Sequence, residues 1–295
     1  MRTEFMGYRR SGGHVGVRDY LLALPSVVCA TRAAFWAVEG TDAIAIEHPI
    51  GCAQIGADRE QTRRVLVGIG AHPNVRAAMV IGLGCEGVPA QEVYQGLLDR
   101  GQATAVATIQ ESGGTREAAQ AARTFLAGVK AVPREQVGIQ DLVLGVGPIE
   151  ALGAAGRALV EAFLDRGGRI VFSATDDPGA LPYGTPIPPS VRCAAMEAGT
   201  GPTETMTGLA ACGAQILLGI CDPHNLGGHP IVPVIRLGAD ERFRRALSDD
   251  MDGMIGDRDP DGWVDWILAV ASGEMTLSES LGTASFAIER IGPTL

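Results

Sequence analysis

The chain has 295 residues, of which 46% are hydrophobic and 20% are charged, so it can build one large globular domain or two smaller ones. The formal net charge of −10 argues against a nucleic-acid partner and against an anionic membrane surface, since both attract basic proteins. No window approaches the roughly 20 apolar residues that a membrane-spanning helix requires. The six cysteines lie far apart without a CxxC pattern, which predicts reduced thiols and a cytoplasmic protein.

Short apolar runs alternate with stretches of helical periodicity through most of the sequence. The apolar runs predict strands over residues 20–29, 43–47, 77–83, 103–110, 141–146 and 169–174. The stretches between them predict helices over residues 30–39, 58–70, 89–100, 115–129 and 149–166. This alternation indicates βαβ units and a largely parallel sheet.

The alternation weakens after the sixth predicted strand. Residues 176–202 are rich in Pro, Gly and Asp and predict a long loop. Further helices are predicted over residues 203–212, 240–247, 263–272 and 276–281, and further strands over 214–220 and 231–237. We therefore predict a doubly wound α/β fold with Rossmann- or flavodoxin-like layers. We expect a first α/β subdomain over residues 1–137 and a second α/β subdomain, with a helical C-terminus, over residues 138–295.

Three of the predicted strands end in polar residues that can take part in chemistry. The segments are Ile44 to Gln54, Ala78 to Glu86 and Val106 to Thr115, and each passes from an apolar run into a glycine-containing turn. In open parallel sheets, ligands bind beyond the carboxyl ends of the strands. We expect the three strand ends to face one pocket.

His48 and Cys52 lie four residues apart across a turn that contains Gly51. An imidazole and a thiolate at this spacing can reach one metal ion, and their softness favours Fe(II) or Zn(II) over Mg(II). Cys85 and Glu86 add a thiol and a carboxylate at the next strand end. In the alternative interpretation, His48 and Cys52 satisfy the hydrogen bonds of the turn and pack, and the spacing alone leaves both interpretations open.

The other histidines and a glycine pair give weaker signals. His72 enters a strand at the end opposite to the predicted pocket, which favours a structural role. His224 and His229 share a loop that either closes over the site or is an ordinary connection. The segment Gly113-Gly114-Thr115 opens a helix after a strand, where backbone N–H groups can hold an anion such as a carboxylate.

Taken together, these motifs resemble the large subunit of the altronate/galactarate dehydratase (UxaA) family, which also includes the large subunit of sulfolactate sulfo-lyase. The resemblance extends over nearly the whole chain, with the motifs in the family's order. It is carried by Gly7-Tyr-Arg-Arg10-Ser-Gly-Gly13-His-Val-Gly16-Val-Arg18, His48-Pro-Ile-Gly51-Cys52, His72-Pro-Asn74, Gly82-Leu-Gly84-Cys85-Glu86, Gln110 with Gly113-Gly114-Thr115, and Thr207-Gly208-Leu-Ala-Ala-Cys-Gly213.

The resemblance implies a metal-dependent lyase that eliminates water, or sulfite, from a small hydroxy acid or sugar acid. A base removes the α-proton of the carboxylate substrate, a divalent cation stabilises the developing charge, and the β-substituent leaves. Fe(II) is the favoured ion, with Mn(II) or Zn(II) as alternatives. The expected metal ligands are His48, Cys52 and Cys85, and the expected catalytic residues are His48, Glu86 and Gln110.

Substrate binding and partners are implied in the same way. Arg10 and Arg18 match family arginines and are expected to grip the substrate carboxylate through bidentate bonds, together with Gly113, Gly114 and Thr115. A small SAF-like partner subunit and a homo-oligomer are also expected.

The sequence departs from the family's pattern at several places, which include two replaced segments. The dehydratases' Cys-Gly-Gly-Ser-Asp stretch is replaced here by Gly147-Pro-Ile-Glu150, and their Thr-Thr-Gly-Arg-Gly loop by Cys221-Asp-Pro-His224-Asn225. The competing hypothesis is therefore a non-catalytic relative that binds a small acid or serves as a scaffold subunit.

Overall fold

The computed structural model describes residues 2–147, 152–221 and 227–292. Its strands are β1 (Glu4–Arg9), β2 (Val15–Gly16), β3 (Tyr20–Pro25), β4 (Ile44–Ala45), β5 (Val75–Gly82), β6 (Ala103–Thr108), β7 (Glu135–Gly138), β8 (Val143–Val146), β9 (Arg169–Ala174), β10 (Cys193–Glu197), β11 (Ile216–Cys221), β12 (Val234–Gly238) and β13 (Gly253–Met254). Its helices are α1 (Thr31–Val38), α2 (Gly56–Gly70), α3 (Ala90–Asp99), α4 (Ile109–Ser112), α5 (Thr115–Gly128), α6 (Gly153–Asp165), α7 (Pro202–Ala211), α8 (Pro260–Ala271) and α9 (Leu277–Ser280). The predicted α/β class is confirmed.

The first parallel sheet has the strand order β4-β3-β5-β6. The chain passes from β3 to β4 on one side and then returns to place β5 and β6 on the other side, so the winding reverses between β3 and β5. Small residues of α1 and α5 pack on one face of this sheet. The apolar sides of α2 and α3 pack on the other face.

The second parallel sheet has the order β10-β9-β8-β11-β12-β13. Its winding reverses between β8 and β11, which is the 3-2-1-4-5-6 arrangement of doubly wound nucleotide-binding folds. Helices α6 and α8 cover one face, and α7 covers the other. A small antiparallel sheet, β2-β1-β7, packs against the α6 and α8 side.

The two parallel sheets meet at the amino ends of their strands, in a cluster that we call the joint, formed by His72, Asn74 and Gln215. The Asn74 side chain is fully buried; its oxygen accepts from the N–H of Val17 at 2.9 Å, and its nitrogen donates to the carbonyls of Gln215 and Ile231 at 3.0 Å each. One apolar core spans both sheets through α2 and α7. The division at residue 137 stays a prediction.

Some elements differ from the sequence-based expectations. The segment 176–202 is not a continuous loop, because β10 lies within it and pairs in parallel with β9. The predicted helix over 240–247 is reduced to a 3₁₀ turn at Glu241–Phe243, which the Asp240 side chain caps. Helix α2 begins at Gly56 rather than at Asp58, whose carboxylate binds Arg290 instead. Within the described ranges, no helix is both long and apolar enough to cross a lipid bilayer.

Candidate functional site

The point where the winding of the four-stranded sheet reverses carries a group of cysteines. Cys29 follows β3, Cys52 follows β4 and Cys85 follows β5, and all three are exposed. Such reversal points leave a crevice beyond the carboxyl ends of the strands, where ligands bind in open α/β sheets. We call this surface, formed by the three cysteines and the loops that carry them, the thiol edge.

The loop after β5 is shaped around the carboxylate of Glu86. This carboxylate accepts from the N–H groups of Gly84 at 2.6 Å and Ala90 at 3.2 Å, and from the hydroxyl of Ser26 at 3.0 Å. A Cβ at Gly82 would lie 2.2 Å from the Glu86 oxygen, so glycine is needed for this approach. Burial raises the pKa of Glu86, but these hydrogen bonds together lower it by more. The net pKa therefore lies below its usual range. The carboxylate is thereby fixed beside Cys85.

Backbone contacts draw the three cysteine loops together. The N–H of Val28, next to Cys29, donates to the carbonyl of Ile50 at 2.8 Å. Gly87 approaches Cys52 so closely that a Cβ at this position would lie 2.8 Å from the carbonyl oxygen of Cys52. Partial desolvation raises the pKa of the Cys52 thiol, and neighbouring Cys85, Cys29 and Glu86 raise it further. The loops after β3, β4 and β5 therefore share one surface.

Sequence reasoning missed Cys29. The predicted strand over residues 20–29 runs through this residue, whereas β3 ends at Pro25. Proline lacks the N–H that continues a strand ladder, and the chain turns through Val28–Ala30. Cys29 therefore lies beyond the sheet, as Cys52 and Cys85 do. The signal was present, since an apolar run followed by a cysteine occurs in all three segments.

His48 lies beneath the thiol edge, with no exposed surface. Its Nε2–H donates to the carbonyl of Pro25 at 2.9 Å, while its Nδ1 accepts from the N–H of Ile50 at 3.3 Å. Only the neutral tautomer with the proton on Nε2 makes both bonds. Burial lowers the pKa of His48, against the opposing bond to Pro25. Both ring nitrogens are thus engaged with the backbone in the described conformation.

The same turn recurs wherever histidine precedes proline in the described chain. Nδ1 of His72 accepts from the N–H of Asn74 at 3.0 Å, and its Nε2 donates to the carbonyl of Ala214 at 2.9 Å. Nδ1 of His229 accepts from the N–H of Ile231 at 3.4 Å. Residue i+2 therefore binds the histidine ring in all three turns. His224 lies outside the described residues.

Gln110 and the glycine pair lie at the same sheet edge as the cysteines. The N–H of Gln110 donates to the carbonyl of Leu83 at 3.1 Å, and its side chain covers Gly84, whose φ of 120° favours glycine. Gly113 and Gly114 also have positive φ and lead into Thr115, the first residue of α5. In the described chain the N-cap residue of this helix is Gly114, which has no side chain to bind the first N–H groups.

Arg10 and Arg18 lie at the opposite end of the four-stranded sheet. Arg10 donates to Asp19 at 2.6 Å and to the carbonyl of Pro73 at 2.7 Å. All five N–H donors of Arg18 are engaged: three with the carbonyls of Val17, Val270 and Glu274, and two with the carboxylate of Glu279. The structure does not bring these arginines to the thiol edge.

The donors of the thiol edge suit a soft metal, but they are not gathered around one point. Across residues 2–147, 152–221 and 227–292, no group of three or more His, Cys, Asp and Glu side chains is arranged to hold a single ion. His48 has no ring nitrogen to offer, and Glu86 holds the loop. The thiols of Cys52 and Cys85 are the donors that fit a thiophilic ion.

The six-stranded sheet has a crevice of its own. A cleft of about 340 Å³ lies beyond β8 and β11 and is lined by Gly147, Gly201, Thr205 and the buried Arg236, among other residues. It lies where the winding reverses in that sheet, the other position at which such folds bind ligands. Gly147, the first residue of the replaced segment, lines this cleft, and residues 148–150 lie outside the described parts.

Sequence comparisons connect this geometry to known proteins. Residues 7–131 match the family described as D-galactarate dehydratase/altronate hydrolase, second domain. Residues 180–294 match the family described as D-galactarate/altronate dehydratase, C-terminal. The first match covers the four-stranded sheet, the second covers β10 to β13 of the six-stranded sheet, and together they cover most of the chain. The chain belongs to the galactarate dehydratase/altronate hydrolase family. The resemblance predicted from the motifs is confirmed.

Curated relatives carry the names of dehydratases and of a lyase subunit. The chain is 42% identical to altronate dehydratase of Escherichia coli over 94 residues, which are 28% of this chain and 19% of that protein. It is 35% identical to the (2R)-sulfolactate sulfo-lyase subunit beta of Chromohalobacter salexigens over 147 residues, 47% of this chain and 36% of that subunit. Altronate dehydratase of Bacillus subtilis is 34% identical over 106 residues, 32% of this chain and 21% of that protein. The chain therefore spans well under half the length of the relatives that it matches.

Proposed function

We propose that this chain is the catalytic chain of a metal-dependent lyase that removes water, or sulfite, from a small 2-hydroxy acid or sugar acid. The family's named members are dehydratases and a sulfo-lyase subunit, which supports an elimination. The observation that carries the proposal is the thiol edge, where exposed Cys52 and Cys85 lie beside a fixed carboxylate at a winding reversal. Loss of the α-proton and the β-substituent gives an enol, which becomes a 2-oxo acid.

Cys52 and Cys85 would hold the metal, with Fe(II) favoured and Mn(II) or Zn(II) as alternatives. When bound, a divalent cation stabilises negative charge on the substrate oxygens as the α-proton leaves. His48 serves in this proposal as a positioning residue, because its two backbone bonds hold the Cys52 loop against β3. Glu86 serves similarly, because it binds Gly84 and thereby fixes the Cys85 loop.

The substrate is held by the neighbouring strand end. The first N–H groups of α5, after Gly113 and Gly114, bind the substrate carboxylate at the positive end of the helix dipole. Thr115 adds a hydroxyl, and the exposed amide of Gln110 orients a substrate hydroxyl from above Gly84. Glu117, in the first turn, offsets part of the attraction for an anion.

The arginines take a supporting role in this proposal. All N–H donors of Arg18 already bind acceptors within the protein. Arg10 binds Asp19 and the carbonyl of Pro73 and so holds the N-terminal segment in place. A bidentate grip on a substrate carboxylate would require Arg18 to give up its bonds to Glu279.

The name of one relative supports a proposal on the subunit composition of the enzyme. One relative is a subunit beta, which supports a multi-subunit enzyme in which a small SAF-like chain completes the site. Val28 and Ile55, beside the cysteines, are 40% and 64% exposed and offer apolar surface to such a chain. We further propose a homo-oligomer in the cytoplasm.

The test is an elimination screen of anaerobically purified, metal-loaded protein on aldarates, aldonates and sulfolactate, with and without a small-subunit homologue. We expect 2-oxo acid formation from at least one compound, and its loss in a Cys52→Ala/Cys85→Ala variant. Cys193 is exposed and lies on the other sheet, so Cys193→Ala is the matched control. No turnover of any of these acids by the metal-loaded protein would contradict the proposal.

One observation favours a second candidate, a non-catalytic subunit that binds a small acid or acts as a scaffold. His48, the central residue of the predicted ion site, is engaged through both nitrogens. In this case an aldarate would raise the melting temperature of the protein, but no substrate would be consumed in the presence of the small subunit.

A further inference from the structure

Three of the six cysteines converge at one sheet edge, and the other three do not. Cys29, Cys52 and Cys85 follow the adjacent strands β3, β4 and β5, whereas Cys193 begins β10 in the other sheet. Cys212 and Cys221 are buried. Exposed thiols on three neighbouring loops are unusual in a protein whose other cysteines are packed or isolated, since free cysteine is among the most buried residue types.

The backbone holds these loops in fixed relation. The bond from the Val28 N–H to the Ile50 carbonyl joins the first loop to the second, and the contact between Gly87 and the Cys52 carbonyl joins the second to the third. Ser26 and Glu86 join the first loop to the third through a 3.0 Å hydrogen bond. The three loops that carry the cysteines are therefore joined to one another pairwise.

The three thiols together do not surround one position, as a single ion bound by all of them would require. Thiolates that share one tetrahedral ion lie about 2.3 Å from it and therefore about 4 Å from one another. No group of three His, Cys, Asp or Glu side chains in the described ranges has such an arrangement. The nearest nitrogen ligand, His48, is committed to the backbone, and Glu86 is committed to Ser26, Gly84 and Ala90. Three thiols with no further ligand beside them suit a polynuclear metal cluster, in which each thiolate binds a different metal atom.

We propose that Cys29, Cys52 and Cys85 bind one iron–sulfur cluster of the [4Fe–4S] type, each thiolate on a different iron, with the fourth iron left without a cysteine ligand. Such clusters are held by cysteine thiolates. Binding is a ligand exchange in which the three thiols release three protons and replace three ligands of a preassembled cluster, so no oxidant or reductant is needed. The inference rests on the proposed function in that it names the metal group of the same site. An iron without a protein ligand leaves a position open to substrate oxygen, as catalytic metal sites require.

The test is anaerobic reconstitution of the full chain with sulfide and equal amounts of ferrous and ferric iron, which supply the mixed oxidation states of the cluster without a further oxidant. Iron, acid-labile sulfide, the visible absorption spectrum and the electron paramagnetic resonance after reduction are then measured. The variants are Cys29→Ser, Cys52→Ser and Cys85→Ser, with Cys193→Ser as the matched control. Because these cysteines are exposed, each variant is expected to fold, and circular dichroism and the melting temperature of the apo form verify this.

The wild type and Cys193→Ser are expected to bind about four irons and about four sulfides per chain. Each of the other three variants is expected to lose most of both, since two thiolates hold a cluster weakly. Iron or zinc at one equivalent without sulfide would overturn the inference, and so would a folded Cys29→Ser variant with the full cluster.

Turnover is measured separately on the same samples. A chain that holds the cluster but eliminates nothing from any tested acid contradicts the proposed lyase and supports the cluster. A chain that turns over with iron and without sulfide supports the lyase and contradicts the cluster.

Discussion

The joint and the thiol edge lie at opposite ends of the four-stranded sheet, and they treat polar side chains in opposite ways. At the joint, Asn74 is fully buried and makes bonds from both ends of its amide. At the thiol edge, Cys52 and Cys85 are exposed and keep free electron pairs at a winding reversal. Polar groups at the joint have hydrogen-bond partners within the protein and stabilise the structure. The exposed thiols at the edge are available for chemistry.

Histidine illustrates the same difference within one residue type. His48 and His72 stand at the two ends of the sheet, yet both make the same His-Pro turn with the same tautomer. Proximity to the cysteines therefore does not make His48 a ligand. A side chain whose donors and acceptors all have hydrogen-bond partners supports the structure, whereas one with unused donors or acceptors can react. Its location alone does not distinguish the two.

Arg18→Met gives the largest expected effect on stability. Removing the guanidinium breaks five buried hydrogen bonds, two to the Glu279 carboxylate and three to backbone carbonyls, which costs about 4 kcal/mol in the free energy of unfolding. Urea unfolding measures it, and the control is Arg9→Met, whose pair with Glu135 is half exposed. If Arg18 instead grips the substrate, stability will hardly change and KM will rise, which would reverse the roles assigned to the two ends.

Asn74→Ala comes next. It leaves buried N–H and carbonyl groups of three segments unpaired, and we expect a loss of about 3 kcal/mol in the free energy of unfolding. Gln95→Ala is the matched control, because that amide is exposed on α3 and bonds to the nearby side chain of Asp99. A change in Asn74→Ala no larger than in the control would show that the joint does not hold the two sheets together.

The buried histidine of the joint makes stability depend on pH. Burial lowers the pKa of His72 to about 4 from an ordinary 6.5, against the opposing bond to Ala214. Its stabilisation is therefore complete above pH 6.5 and is lost as the pH falls towards 4, since the unfolded chain takes up the proton first. His72 alone should contribute a loss of about 2 kcal/mol between pH 7 and pH 5.

Burial also lowers the pKa of His229, to about 3, so its contribution has the same sign. Urea unfolding at a series of pH values measures the slope, which should be smaller in His72→Gln and unchanged in His14→Gln, since His14 is exposed. An unchanged slope in His72→Gln would mean that His72 is not held neutral in the folded state.

The smallest expected effect on stability belongs to the thiols. Cys52→Ser and Cys85→Ser replace exposed side chains and should change the unfolding free energy of the apo protein by less than about 0.5 kcal/mol. A loss as large as that of Asn74→Ala would place the thiols among the supporting residues and remove the contrast between the two ends.

The sequence predicted those parts of the fold that depend on local pattern. The long apolar runs that became β5, β6 and β9 were found nearly to the residue, because a buried strand needs only its own side chains to be recognised. The strand β10 was missed because it is short, lies in a segment rich in Pro and Gly, and is defined by its pairing with β9. The β1–β7 pair was missed for the same reason, since its partners lie far apart in the sequence.

For the site, the sequence predicted the sheet edge at which these residues lie. It did not predict the hydrogen bonds that their side chains make. Cys52, Cys85, Glu86 and Gln110 do lie at neighbouring strand ends, as the apolar runs predicted. The pattern could not show that the bonds of His48 are used within the backbone, because a ligand histidine and a turn histidine look alike in sequence. The assigned roles of these residues, and of Arg10 and Arg18, stay predictions.

The most direct test of the central claim is the rate at which the anaerobically reconstituted Cys85→Ser variant eliminates water or sulfite. It should be compared with the wild type and with Cys193→Ser, at equal folded concentration, on the same panel of aldarates, aldonates and sulfolactate. We expect Cys193→Ser to match the wild type and Cys85→Ser to be slower by roughly a hundredfold or more, which is about 2.7 kcal/mol in the activation free energy. A Cys85→Ser variant that forms 2-oxo acid at the wild-type rate would contradict the assignment of chemistry to the thiol edge.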